Sequence, residues 1–293
     1  MKSFLSALLL VISLFSASNA AAQATLFEYP IAPDTCTNIE TRCNYSVQHF
    51  WDKCDFSKPF EEQNDSLLME AMLTYFDIMK AGANVNVALA SVRNLMFKSQ
   101  ANHDNFMKLM SFAEYLLFLN SDFIDDLYLT FIQCAVDASW MNKEKRNRYI
   151  DIGKRIENSK LGSQIYNFEF TSITGARKHL QDMKSTAKLY VLMFSNNDSG
   201  SSIERMRLST DIAFNQKVEA GEIEVINIIV GDTPKTWDKD SQTYSQSWIV
   251  GASKEVQDKL DLRIMPSIFL LDENFNIIAK NKTVDFIKGT MAR

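Results

Sequence analysis

The sequence predicts a helical bundle followed by an α/β domain in which helices cover the faces of a mixed sheet. Three observations carry that expectation. Apolar residues recur at helical spacing over residues 39–158. Past Ser159 the pattern changes to strands alternating with helices. Residues 188–194 and 224–230 are predominantly apolar runs, the mark of strands buried on both faces.

Before the bundle, residues 1–22 read as a signal peptide: Lys2 supplies the positive start, residues 4–15 the apolar run, and residues 17–24 the small residues of a cleavage region. The apolar run is shorter than the roughly 20 residues that span a bilayer. No cysteine lies near the cleavage region, so no bacterial lipid anchor is expected, and a periplasmic or secreted product is. Roughly 270 residues then remain, enough for two cores. With 31 Lys and Arg against 36 Asp and Glu the net charge is −5, and no long basic run exists, so nucleic acid is excluded as a partner class. No second long apolar segment predicts a membrane span.

The helical domain is expected over residues 23–158. Residues 39–52 open it, and Phe56, Pro59 and Phe60 mark a turn. Residues 66–81 carry a broad apolar stripe that stops at Gly82. Further helices are expected over Val85–Ser99, 105–119, 122–139 with Asp122 as N-cap, and Lys143–Glu157. Short connections imply antiparallel packing. Phe50, Trp51, Phe56 and Phe60, and the methionines at 69, 72, 79, 96, 107 and 110, suit its interior better than a ligand pocket.

In the second domain, residues 159–293, a short strand is expected over 167–170 and a turn into a brief helix over 176–183. Residues 188–194 form a buried strand, 202–220 a helix spaced through Ile203, Met206, Ile212, Ala213 and Val218, and 224–230 a second buried strand. Residues 267–272 and 277–280 make a hairpin, and 283–291 a closing helix. A βαβ unit followed by a hairpin and a helix requires a mixed sheet.

The four cysteines, Cys36, Cys43, Cys54 and Cys134, all lie in the first half, and none is spaced C-x-x-C. An even number in an oxidising compartment permits two disulfides, and buried thiols are the equal alternative. If residues 39–52 form one helix, Cys43 and Cys54 are separated by roughly 16 Å, too far to bridge. With 3 histidines and none at ligand spacing from a cysteine, no metal site and no cofactor is expected. Sequons begin at Asn44, Asn64, Asn197 and Asn281.

The strand and loop of residues 189–202, the segment Arg263-Ile-Met-Pro-Ser-Ile-Phe-Leu-Leu-Asp272 and the insert of residues 237–262 together resemble the thioredoxin superfamily, in its periplasmic TlpA and ResA-like branch. The stretch His49-Phe-Trp-Asp-Lys-Cys-Asp-Phe56 is similar to one near the start of secreted bacterial proteins that join a helical domain of unknown function to such a domain. The resemblance implies a thioredoxin-like fold for the second domain, with Met265 and Pro266 at the cis-proline turn that faces substrate. The departure is at the chemistry: counting from Phe194, the C-x-x-C falls on Ser199-Gly200-Ser201-Ser202. A serine supplies neither the thiolate nor the resolving thiol.

Serine hydrolysis at Ser199 is disfavoured, since His179 is the closest histidine in sequence and no G-x-S-x-G elbow exists. Asp198 or Ser199 is expected to cap the following helix. The groove between residues 197–202 and 264–266 could hold an extended peptide by strand addition, although an architectural turn is the simpler role for Pro266. The sequence therefore reads as a redox-inactive exported protein that binds another exported protein or an extended peptide. The alternative is a thiol–disulfide oxidoreductase using Cys36, Cys43 or Cys54.

Overall fold

A computed structural model describes residues 25–61, 64–118, 125–196, 198–232 and 244–291. The chain divides into two compact units, residues 1–149 and 150–293, so the division falls inside the helix Lys143–Glu157. The expected boundary lies at that helix's end. Within the second unit Asn158 Nδ2 donates to Lys259 O at 3.0 Å, and Asp261 N to Ser159 Oγ at 2.9 Å. These bonds account for the helix's last turns belonging there.

In the first unit the helices are α1 (Ile39–His49), α2 (Asp65–Gly82), α3 (Val85–Ser99), α4 (His103–Ala113) and α5 (Asp125–Asp137), and α6 (Lys143–Glu157) spans the division. Helix α1 stops short of the expected Asp52, because Phe50 and Trp51 turn inward and are buried. Asp52 then accepts from Lys98 Nζ at 2.9 Å and meets His49 Nδ1 at 2.7 Å. The single helix assumed for the separation of Cys43 and Cys54 is therefore not formed. The helix expected over 105–119 begins earlier, where Asn102 caps Asp104 and Asn105, and passes into a π-helical turn, Glu114–Phe118. Asp122 lies outside the described residues. Phe50, Trp51, Phe56, Met72, Met79, Met96 and Met110 are core.

The second unit holds a seven-stranded sheet in the order β2-β1-β5-β4-β3-β6-β7. Its strands are β1 (Glu169–Ser172), β2 (Arg177–His179), β3 (Leu189–Ser195), β4 (Ile223–Val230), β5 (Ile249–Ser253), β6 (Ser267–Asp272) and β7 (Ile277–Lys282). The pairs β3–β4 and β4–β5 are parallel and the rest antiparallel, giving the mixed sheet expected. Val191, Met193, Val225, Ile229 and Ile268 face one layer of helices. Leu192, Phe194, Ile226, Ile228 and Phe269 face the other side.

Two helices, α7 (Ser199–Ser209) and α8 (Ile212–Glu219), stand where one was expected. The break follows from Asp211, which caps α8 by accepting from Phe214 N at 2.9 Å. The helix α9 (Glu255–Lys259) follows β5, and α10 (Val284–Met291) closes the unit. Where a turn into a brief helix was expected over residues 176–183, a short strand, β2, leads into a 3₁₀ turn, Leu180–Met183. No helix among the described residues is long and apolar enough to cross a membrane.

Candidate functional site

Antiparallel pairing of β3 with β6 sets Phe194 opposite Ser267. That register brings the loop leaving β3 and the segment entering β6 to one end of the sheet. Helix α7 starts from that loop. Asp198 is its N-cap: Oδ1 accepts from Ser201 N at 2.7 Å. This backbone hydrogen bond is the main reason its carboxyl titrates below the usual range.

The four expected positions differ sharply in setting. Ser199, Gly200 and Ser202 are exposed, whereas Ser201 is 1% exposed. Ser201 Oγ accepts from Asn196 N at 3.1 Å. Ser202 Oγ donates to Asp198 O at 2.8 Å and receives Arg205 Nη2 at 2.7 Å. Ser199 Oγ has no hydrogen bond among the described residues. Asn197 lies outside the described residues.

Arg205 is the feature that the sequence did not announce. Its guanidinium is buried beneath the loop, donating from Nη1 to Ser195 Oγ at 3.1 Å and to Asn196 O at 3.4 Å. Its Cζ sits 5.0 Å from the centre of the Tyr244 ring. Ser195 Oγ in turn donates to Asn227 Oδ1 at 3.2 Å. An arginine i+3 from a serine carries no signal of burial, because that spacing equally suits a solvated pair. With Arg205 and Leu208 turned inward, the residues expected to be buried face out: Ile203, Met206 and Ile212 are 55%, 58% and 76% exposed.

On the other side of the site, the Met265–Pro266 bond is cis. Ile264 and Met265 are exposed, and neither makes a backbone hydrogen bond among the described residues. Asn281 spans this turn: its Oδ1 accepts from Arg263 N at 3.3 Å and from Ser267 Oγ at 2.9 Å. Its backbone is left-handed, with φ of 51°. Because its side chain is buried, the Asn281 sequon offers no accessible nitrogen.

Every cysteine belongs to the first unit, and all four are free thiols. Burial raises the thiol of Cys43, and pushes Cys54 up to about 12 and Cys134 up to about 11. No group of three or more metal-ligating side chains exists among the described residues.

The arrangement of β3, α7, β4 and the β6–β7 hairpin defines a thioredoxin-like fold, preceded by a helical region. Comparison with known proteins agrees. Residues 15–159 match the family described as a domain of unknown function (DUF5106). A thioredoxin-like protein from Bacteroides caccae superposes with a TM-score of 0.78 at 18% identity, over 92% of this chain and 99% of that one. The C-terminal domain of an uncharacterized protein from Bacteroides fragilis shares 23% identity, with a TM-score of 0.43 over 46% of this chain and 99% of its own. The thioredoxin domain of a thiol-disulfide oxidoreductase from Bacteroides vulgatus shares 19%, with a TM-score of 0.39 over 45% of this chain and 95% of its own. No curated protein matches. Likeness to the Bacteroides caccae structure at 18% identity shows the fold alone and leaves the activity to the site.

One consequence of the cap is directly measurable. Asp198→Ala removes an N-cap and is expected to cost about 1 kcal/mol at neutral pH. Because the folded carboxyl titrates below the unfolded one, the contribution is complete above the ordinary carboxylate pKa. It fades as pH falls through the lowered folded value. Denaturation of wild type and variant at neutral and at acid pH checks this: the two should converge in acid.

Proposed function

We propose that this chain is an exported protein of the TlpA and ResA-like type that has lost thiol–disulfide exchange and binds an extended segment of another exported protein without covalent chemistry. The observation that carries the reading is that oxygen, not sulfur, occupies the start of α7: Asp198, Ser199, Ser201 and Ser202. Exchange needs a thiolate held by first-turn N–H groups and a second thiol to release the mixed disulfide. A hydroxyl does neither. Binding is favoured by the backbone of Ile264 and Met265, which makes no backbone hydrogen bond among the described residues and so offers an edge for strand addition, and by the outward Ile203 and Met206. The leader-like residues 1–22 support export.

Reduction of insulin by dithiothreitol tests the first half. The mature protein is expected to leave the rate unchanged, and acceleration would overturn the reading. Binding to a library of extended apolar peptides tests the second, with loss expected on Met265→Asp combined with Ile203→Asp. Exchange through the first unit's cysteines is the weaker reading, since burial suppresses the thiolate of Cys43, Cys54 and Cys134. Cys43→Ser should accordingly change nothing in the insulin assay. A fluorophosphonate probe should likewise leave Ser199 unlabelled.

A further inference from the structure

We propose that the helical unit carries a separate site, a cavity at the end of α1 that binds a neutral pyranoside, with His49 Nε2 as its fixed hydrogen-bond acceptor. The stretch His49–Phe56, singled out in the sequence, divides in two here. Phe50, Trp51 and Phe56 are core, whereas His49, Asp52 and Lys53, together with Glu28, line a cavity of about 330 Å³. That volume lies at the lower end of ligand pockets, about 300–1,000 Å³. It suits one small molecule.

His49 is oriented by a chain of charges. Its Nδ1 meets Asp52 Oδ2 at 2.7 Å, and Asp52 Oδ1 accepts from Lys98 Nζ at 2.9 Å. The Lys98 hydrogen bond is the main reason the Asp52 carboxyl titrates below the usual range, so the proton between Asp52 and His49 sits on Nδ1. The neutral ring then presents a lone pair at Nε2, which has no hydrogen bond among the described residues. Stability does not account for this chain, because exposed ion pairs contribute little, and His49 and Asp52 are 45% and 46% exposed.

The ligand class follows from the rest of the wall. The charges are paired, Lys53 with Glu28 and Lys98 with Asp52, so an ion meets no net charge to answer its own. Hydroxyl groups can be received instead. Nε2 accepts from one, and the Tyr45 phenol, whose ring centre lies 4.4 Å from that of His49, donates to or accepts from another. Tyr29 and Ile31 add apolar surface for the C–H face of a sugar ring, and Ile31 is 74% exposed. The Tyr29 ring is itself stacked on buried Phe50 at 4.7 Å, so this part of the wall is formed before any ligand arrives.

The test titrates the full chain with methyl β-D-glucopyranoside, methyl β-D-galactopyranoside and methyl α-D-mannopyranoside, and follows the histidine and tyrosine rings by nuclear magnetic resonance. At least one glycoside is expected to shift the His49 and Tyr45 signals saturably, with a Kd of about 1 mM. Raising the salt about tenfold should leave that Kd unchanged. His49→Phe keeps an aromatic ring beside Tyr45 but removes the acceptor, and should weaken binding about tenfold. His103→Phe, at a histidine stacked on Trp140 and not lining the cavity, should change nothing.

No shift with any of the glycosides, undiminished binding in His49→Phe, or tighter binding of glucuronate or glucosamine than of the neutral glycosides would overturn the proposal. Ring-nitrogen shifts of the unliganded wild type add a check that needs no variant. Neutral His49 should carry its proton on Nδ1, and a proton on Nε2 would overturn the assignment of the acceptor.

Discussion

Asp261→Ala is expected to destabilise the C-terminal unit by about 3–5 kcal/mol, the largest loss of any single substitution considered for this protein. The side chain is 1% exposed and is shared by two cations that are themselves buried, Arg263 at 5% and Lys280 at 6%. Arg263 Nε reaches both carboxylate oxygens, at 2.9 and 2.8 Å, and Nη2 reaches Oδ2 at 2.6 Å. Lys280 Nζ lies 3.1 Å from Oδ2. Removing the carboxylate takes away the acidic partner that these two buried cations share, which is far costlier than losing a surface ion pair. The position matters for the site: Arg263 directly precedes the exposed Ile264 and Met265, and its N–H is held by Asn281. Lys280→Met, which keeps the Arg263–Asp261 fork and removes the second cation, should cost clearly less. Urea unfolding of the mature chain measures both. A loss for Asp261→Ala below about 1 kcal/mol, the range of exposed pairs, would show that the cluster is solvated rather than buried.

Much of the architecture follows from local pattern. Val85–Ser99 and Lys143–Glu157 form helices with the bounds that periodicity predicts, and the apolar runs at β3 and β4 are strands covered on both faces. The failures have a shared cause, which is that long-range contacts override local preference. Helix α7 turns Arg205 inward because Ser195 and Asn196, at the end of a strand, offer it acceptors. The apolar stripe through Ile203 and Met206 consequently points outward. The join between α7 and α8 did carry a local signal, Ser209-Thr-Asp211, in which aspartate precedes an apolar residue as an N-cap does. At the site, the lack of cysteine was plain from the positions of the four cysteines, whereas the contrast between buried Ser201 and exposed Ser202 depends on how α7 is rotated against the sheet.

Strand β5 had no comparable signal, since Ile249-Val-Gly-Ala-Ser253 lacks the bulk that marks a strand, and the reason leads to the second large expected effect. Gly251 pairs with Ser172 across β1–β5, and a Cβ added there would lie 2.3 Å from Phe170 Cδ2, 2.9 Å from its Cε2 and 3.1 Å from Thr171 O. Phe170 is 1% exposed and packs beside Phe168, with ring centres 6.4 Å apart, so the ring has no free space to enter. Gly251→Ala should therefore cost about 1–3 kcal/mol by overpacking. Replacing glycine by alanine otherwise stabilises by about 0.4–1 kcal/mol through the unfolded chain, so any net loss understates the clash.

Two comparisons separate that clash from a general glycine effect. Gly200→Ala, whose added Cβ meets nothing nearer than Asp198 Oδ1 at 3.5 Å, should be neutral or stabilising in denaturant unfolding. In a Phe170→Leu background the cost of Gly251→Ala should shrink, with a coupling of about 1 kcal/mol. Equal costs with and without the Phe170 ring would place the penalty in the backbone of β5. The small residue at this position would then have to be explained by strand geometry instead of by the ring that lies across it.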